Sequence, residues 1–177
     1  MQSIFKEAQN LKKLRHKNIV ELYHAFLDQR QKELIMIMEY ANGGEIIDML
    51  REKGVLTEMD ARRIILQITN SINYCHTRGI IHRDLKLENI LFRSPQKGEN
   101  PDLFIKIIDF GIAGVCESGK NDKGNAGTDE YLPPEFFYQK VCESAPGLDV
   151  WAIGIIWFAL LQGKLPFFSD NEDELRK

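Results

Sequence analysis

His82-Arg83-Asp84-Leu85-Lys86-Leu87-Glu88-Asn89 is the stretch on which the reading of this chain turns. One short loop here carries a carboxylate (Asp84), an ammonium (Lys86) and a primary amide (Asn89). A carboxylate can take the proton of a hydroxyl, a cation can neutralise a phosphate, and an amide oxygen can hold Mg2+. The plain alternative for the octet alone is a loop in which Asp84 pairs with Arg83 and Asn89 caps a turn. The flanking sequence argues against it. Asp109-Phe110-Gly111 comes after Asn89 and directly after the apolar run Ile105-Lys106-Ile107-Ile108, which reads as a strand. Gly127-Thr128-Asp129-Glu130-Tyr131-Leu132-Pro133-Pro134-Glu135 is the next marked segment. Asp149-Val150-Trp151-Ala152-Ile153-Gly154 then opens a long apolar helix. Asp149 taken alone is a plain N-cap.

The rest of the chain supplies a scaffold. Ile4, Ala8, Leu11 and Leu14 recur at helical spacing, with Glu7 beside their face, where a carboxylate needs a partner. Two strand-like runs, Ile19 to Phe26 and Leu34 to Glu39, are separated by polar Asp28 to Lys32 and read as a hairpin. A short helix over Ile46 to Lys53 stops at Gly54, and Thr57 with Asp60 has capping-box spacing for a helix carrying Ala61, Ile64, Ile65, Ile68, Ile72 and Cys75 on one face. Ser94 to Asp102 is a polar loop, and Gly111 to Gly127 is glycine-rich and irregular. Strands precede helices, so the fold class is α+β.

Composition narrows the function classes. Of 177 residues, 44% are hydrophobic and 28% charged, with 23 Lys plus Arg against 26 Asp plus Glu, a formal net charge of −3. That is globular composition with no basic excess, so no nucleic-acid partner is expected. The apolar run Val150 to Leu161 is too short for a bilayer and reads as a helix buried all round, so no membrane partner is expected either. Cys75, Cys116 and Cys142 are odd in number and far apart, as free thiols in a reducing compartment are. The charged, helix-patterned opening is unlike a secretory leader. A cytoplasmic protein is the expectation.

The octet matches H-R-D-L-x-x-x-N, and with the three later motifs in order the chain resembles the eukaryotic protein kinases over essentially its whole length. The resemblance implies a partial small lobe (residues 1–40: its helix, two strands and the start of the hinge) and most of a mainly helical large lobe (41–177). It implies ATP and Mg2+, with Asp84 as catalytic base, Lys86 at the γ-phosphate, and Asn89 and Asp109 on the metal. Thr128 would bridge Asp84 and Lys86, and Asp149 would hold the catalytic loop's backbone. Glu7 resembles the glutamate of the small-lobe helix. Met38 falls at the gatekeeper, Glu39 and Ala41 at the adenine-bonding hinge, Glu45 at the ribose-contacting acid, and Leu91 and Ile108 at the adenine floor and behind it. Leu11, Phe110 and His82 fall on the apolar spine that joins the lobes, which makes His82 packing. Lys86 and Gly127-Thr128 point to serine or threonine as the acceptor on a protein substrate. Glu45 and Glu88 match acids that meet upstream arginines of the substrate in basophilic relatives.

The departures matter too. No G-x-G-x-x-G occurs, and Gly119 with Gly124 has Walker-A spacing but is followed by Asn125-Ala126. The lysine that pairs with the helix glutamate should precede Glu7, where only Met1 to Lys6 stand, and the arginine that pairs with Glu135 should follow Lys177. A chain truncated at both ends is the expectation. Pro133 replaces the usual Ala, and the Phe92 to Phe104 loop is long. Ahead of Gly127 the activating hydroxyl is missing, which leaves Ser118 or a standing acid such as Asp122 to face Arg83. The alternative is a pseudokinase, a scaffold without transfer activity. Intact Asp84, Lys86, Asn89 and Asp109 favour the enzyme.

Overall fold

The computed structural model describes residues 2–28, 30, 33–96, 102–111, 113–115, 127–137 and 145–169, with the backbone alone for 2–6, 114, 115 and 145. The readings of Cys116, Ser118, Gly119, Asp122, Gly124, Cys142 and the middle of the Phe92 to Phe104 loop fall outside these residues.

Helix α1 (Gln2–Leu11) buries Ala8 and Leu11, with Leu14 just beyond it, as the spacing expects. Strands β1 (Leu22–Asp28) and β2 (Glu33–Met38) form an antiparallel hairpin with Phe26 opposite Ile35. The first strand starts later than its apolar run. The backbone before it is already committed: the Val20 N–H donates to the Ile107 carbonyl at 3.0 Å, and the Ile107 N–H to the Asn18 carbonyl at 2.8 Å.

Helix α2 (Ile46–Lys53) ends where expected, with Gly54 at φ +81° returning its N–H to the Leu50 carbonyl. Helix α3 (Glu58–His76) is capped by Thr57, whose hydroxyl accepts the Asp60 N–H at 3.2 Å and donates to the Asp60 carboxylate at 2.9 Å. Its buried stripe is the expected one, Ala61 to Cys75. Two short antiparallel pairs follow: β3 (Ile80–Ile81) with β6 (Gly114–Val115), and β4 (Ile90–Phe92) with β5 (Ile105–Ile107). Two 3-10 turns, Leu87–Asn89 and Asp129–Tyr131, and helices α4 (Pro134–Phe137) and α5 (Ala145–Gln162) complete the described elements. The class is α+β.

The expectation for α5 needs two corrections. It begins at Ala145, ahead of Asp149, and it is not buried all round. Ala152, Ile155, Ile156, Ala159 and Leu160 are buried, whereas Val150, Trp157 and Phe158 are exposed. A helix apolar on every side carries no periodic signal for the side that α3 covers. One core runs from Leu11 and Leu14 through Phe110 to α3 and α5. Among the described residues no helix is long and apolar enough to cross a membrane.

Candidate active site

Strand β3 leads into the His82–Asn89 loop and β4 leads out of it, so both loop ends are anchored in sheet. The start of the loop is also held from α5. Asp149, 1% exposed, accepts the Arg83 N–H on Oδ1 at 2.9 Å and the His82 N–H on Oδ2 at 2.9 Å. The His76 Nε2 of α3 lies 2.7 Å from the same Oδ2. Asp149 therefore holds the loop backbone rather than capping a helix. His82 is buried, with its ring 4.7 Å from that of Phe110 and its Nε2 3.1 Å from the Ile108 carbonyl. It packs; it does not face the loop's polar groups.

Three polar side chains meet on the outer side of this loop. The Lys86 Nζ lies 3.1 Å from the Asp84 Oδ2 and donates to the Thr128 hydroxyl at 2.9 Å. The Thr128 hydroxyl in turn donates to the Asp84 Oδ1 at 3.0 Å. One O–H donor and one lone pair satisfy both bonds. Asn89 donates from Nδ2 to the Asp84 carbonyl at 2.9 Å, which leaves its amide oxygen for another partner. Thr128 is delivered by Gly127, at φ +77°, where an added Cβ would meet the Arg83 carbonyl and the Leu132 side chain, both at 2.9 Å. Only glycine fits that close approach.

A second group faces α1. Asp109 sits at φ +61°, and its Oδ1 accepts the Gly111 N–H at 3.1 Å. Glu7 comes against the same turn, since a Cβ on Gly111 would lie 3.6 Å from its Oε2. Burial, and then the Asp109 charge, push the Glu7 carboxyl above its usual range. Among the described residues no lysine or arginine pairs with Glu7. Glu135 is different: it is exposed, so water solvates it.

The remaining expected residues lie along the passage from β2 to α2. The Glu39 N–H donates to the Glu21 carbonyl at 2.8 Å, which leaves its carbonyl as the backbone group open to a ligand. Ala41 is half-buried, and among the described residues no bond to its backbone is present. Glu45 precedes α2 in extended backbone and bridges Leu91, which with Ile108 is half-buried.

The sequence reading missed two members. Lys106 stands in an apolar strand, yet its ammonium is nearly buried, 2.7 Å from the Glu39 carboxylate. It ties β5 to the end of β2. The signal was there, a single lysine among isoleucines. His76, which the sequence does not single out, places its Nε2 against the Asp149 carboxylate beside the two backbone donors.

Comparison with known proteins gives the family. The family model described as "Protein kinase domain" matches residues 1–177. A probable serine/threonine-protein kinase, MARK-A, of Dictyostelium discoideum is 39% identical over 175 residues, 99% of this chain and 16% of that protein. A probable myosin light chain kinase of the same organism is 36% identical over 175 residues, 99% of this chain and 43% of that protein. Serine/threonine-protein kinase H1 of Homo sapiens is 39% identical over 171 residues, 96% of this chain and 38% of that protein. The chain thus spans less than half the length of each of these relatives. With a family model matched from end to end and the loop, its anchor and its bridging threonine in place, this chain belongs to the protein kinase family.

Proposed function

We propose that the protein carrying this chain transfers the γ-phosphoryl group of ATP to serine or threonine hydroxyls of protein substrates. The observation that carries this reading is the Asp84–Lys86–Thr128 triangle. Asp84 accepts from Thr128 on Oδ1, and from Lys86 and, at 3.5 Å, Asn89 Nδ2 on Oδ2, which leaves a lone pair on Oδ1 to accept the proton of an incoming hydroxyl. Lys86 holds a positive charge at that carboxylate, where charge on a transferring phosphoryl group needs neutralising. Thr128 fixes the two relative to each other, so little reorganisation is required.

The donor set fits Mg2+ and a nucleotide. Among the described residues no three His, Cys, Asp or Glu cluster as a metal site. The Asp109 carboxylate and the Asn89 amide oxygen are the sparser set that suffices for Mg2+ when phosphates and water supply the rest. Bound Mg2+ would neutralise phosphate charge. Glu39 and Ala41 would hold the adenine through backbone groups, Glu45 the ribose, and Leu91 and Ile108 the apolar faces. The widely spaced cysteines favour a cytoplasmic location.

Glu88 supports a preference for basic residues ahead of the acceptor. Its Oε2 is buried with no partner among the described residues, and burial first, then the Glu88 charge, raise the pKa of the neighbouring Tyr131. An arginine of the substrate would satisfy that oxygen. A module without transfer activity is the second reading; among the described residues no lysine or arginine pairs with Glu7.

The test is phosphate transfer by the full-length protein to serine, threonine and tyrosine peptides, with and without upstream arginine. Transfer to serine or threonine that drops by about 10²- to 10⁴-fold in Asp84→Asn supports the enzyme. ATP binding without transfer to any peptide would establish the scaffold reading instead.

A further inference from the structure

Asn10 is a polar residue in an unusual place. It lies on α1, one turn after Glu7 and beside Leu11, and is 2% exposed. Burying a primary amide is unfavourable unless it is hydrogen-bonded. Its Nδ2 donates to the Ala113 carbonyl at 3.1 Å, across 103 residues of chain. Ala113 is itself 1% exposed and lies just after the Asp109-Phe110-Gly111 turn, where its N–H donates to the Phe110 carbonyl at 3.1 Å.

The same face of α1 therefore makes two opposite contacts with this turn. Glu7 and Asp109 are like charges, and after burial the Asp109 charge disfavours the ionised form of Glu7. One turn on, the Asn10 amide binds the turn's backbone. On the far side, β6 pairs with β3, at Val115 opposite Ile80 and Gly114 opposite Ile81. The segment behind Asp109 is thus gripped by α1 through one side-chain amide and by the β3 ladder through its backbone. The ladder ends in the catalytic loop, so whatever fixes Ala113 fixes Asp109 relative to Asp84 as well.

We infer that Asn10 is a positioning residue: its amide latches α1 to the Ala113 carbonyl, holding Glu7 and Asp109 in the arrangement that phosphoryl transfer uses, against their mutual repulsion. The inference rests on the kinase reading for its catalytic consequence but not for its structural one. Without the donor, the Ala113 carbonyl is left unsatisfied in the core and α1 is free to move away from the turn.

The test uses the full-length protein with Asn10→Leu, which keeps the volume and removes the donor, and Asn10→Ser as a second variant with less bulk. Hydrogen exchange without nucleotide is the first readout. Amides of 110–115 and of α1 exchange several-fold faster in the variant, while those of α3 between Ala61 and Cys75 do not change. Equal acceleration in α3 would mean that Asn10 is only a packing residue, and no acceleration at 110–115 would mean that there is no latch; either result overturns the inference. Kinetics is the second readout: kcat falls about two- to tenfold, with the KM for peptide unchanged. A rise in peptide KM at constant kcat would also overturn it. If the wild-type protein transfers no phosphate, the kinase reading fails, and the exchange comparison still decides the latch.

Discussion

The Asp149 carboxylate accepts the backbone N–H of Arg83 at 2.9 Å, and Arg83 stands at φ +70°, a region that a side chain other than glycine's makes costly. Left-handed backbone at such a residue costs on the order of 1–3 kcal/mol and persists only where the surroundings fix it. Here the fixing group is one buried anion on α5 that also accepts from His82 and contacts His76. The unfavourable backbone sits immediately before Asp84, so α5 and α3 together set the direction in which the candidate base points.

Replacing Asp149 by asparagine puts an NH2 group against one of two backbone N–H donors. A buried donor without an acceptor costs about 1–3 kcal/mol. The expected outcome is a lower urea midpoint, with an unchanged slope, and faster hydrogen exchange at the His82 and Arg83 amides. If those two amides exchange no faster in Asp149→Asn, the loop does not depend on Asp149.

Thr128 separates bridging from bulk. Thr128→Val keeps the shape but removes the hydroxyl that joins Lys86 to Asp84, and Thr128→Ser keeps it. Hydrogen bonds to charged groups contribute about 1.5–3 kcal/mol, which corresponds to roughly 10- to 150-fold in rate. Phosphate transfer by the full-length protein is expected to fall by that order in Thr128→Val and to stay near wild type in Thr128→Ser. Equal losses in both would assign Thr128 to packing.

These two cases mark how far the sequence is legible. Chemistry confined to one loop can be read directly, because Asp84, Lys86 and Asn89 are neighbours in sequence and in space. The Thr57 cap, Gly54 and the α3 stripe are likewise local. What the sequence hides is pairing at long range. Lys106 with Glu39, His76 with Asp149, and Asn10 with Ala113 join residues whose local patterns are those of an ordinary strand or helix. Only the folded chain brings them together. The exposed residues of α5 were unreadable for another reason, since uniform hydropathy does not say which face has a neighbour.

His16 gives stability a pH dependence of known sign. Burial, and then the charges of Lys17, Lys106 and Arg78, hold its pKa below the usual 6.5. The neutral ring is used in the fold, with Nδ1 accepting the Asn18 N–H at 3.2 Å. A folded pKa below the unfolded one means that the stabilisation is present above 6.5 and is lost as pH falls below it. Glu7 has the opposite sign in another window: its raised carboxyl weakens the fold near neutrality, and acidification towards 4.5 relieves this. The check is the urea midpoint of wild type minus that of His16→Gln, measured from pH 8 to 5.5. The difference should shrink towards acid; a constant difference would mean that His16 does not titrate differently on folding.

The hairpin gives the last prediction. Among the described residues β2 pairs only with β1, and Phe26, Leu27, Ile35 and Ile37 are all substantially exposed. Phe26 and Ile35 oppose each other, as do His24 and Ile37, so one face carries a row of apolar side chains beside an open strand edge. A two-stranded hairpin alone is marginal in water, and an apolar unpaired edge recruits further strands. Residues 1–177 prepared by themselves are therefore expected to associate as concentration rises and to melt broadly. Ile37→Lys puts a charge on that face next to the edge and opposes edge pairing. It should raise the monomer fraction in sedimentation velocity at equal concentration, whereas Leu66→Lys, at an exposed position on α3, should not. If both substitutions act alike, association runs through the helical face of the molecule; if neither does and the wild type is a monomer with a sharp, reversible transition, the β2 edge is covered.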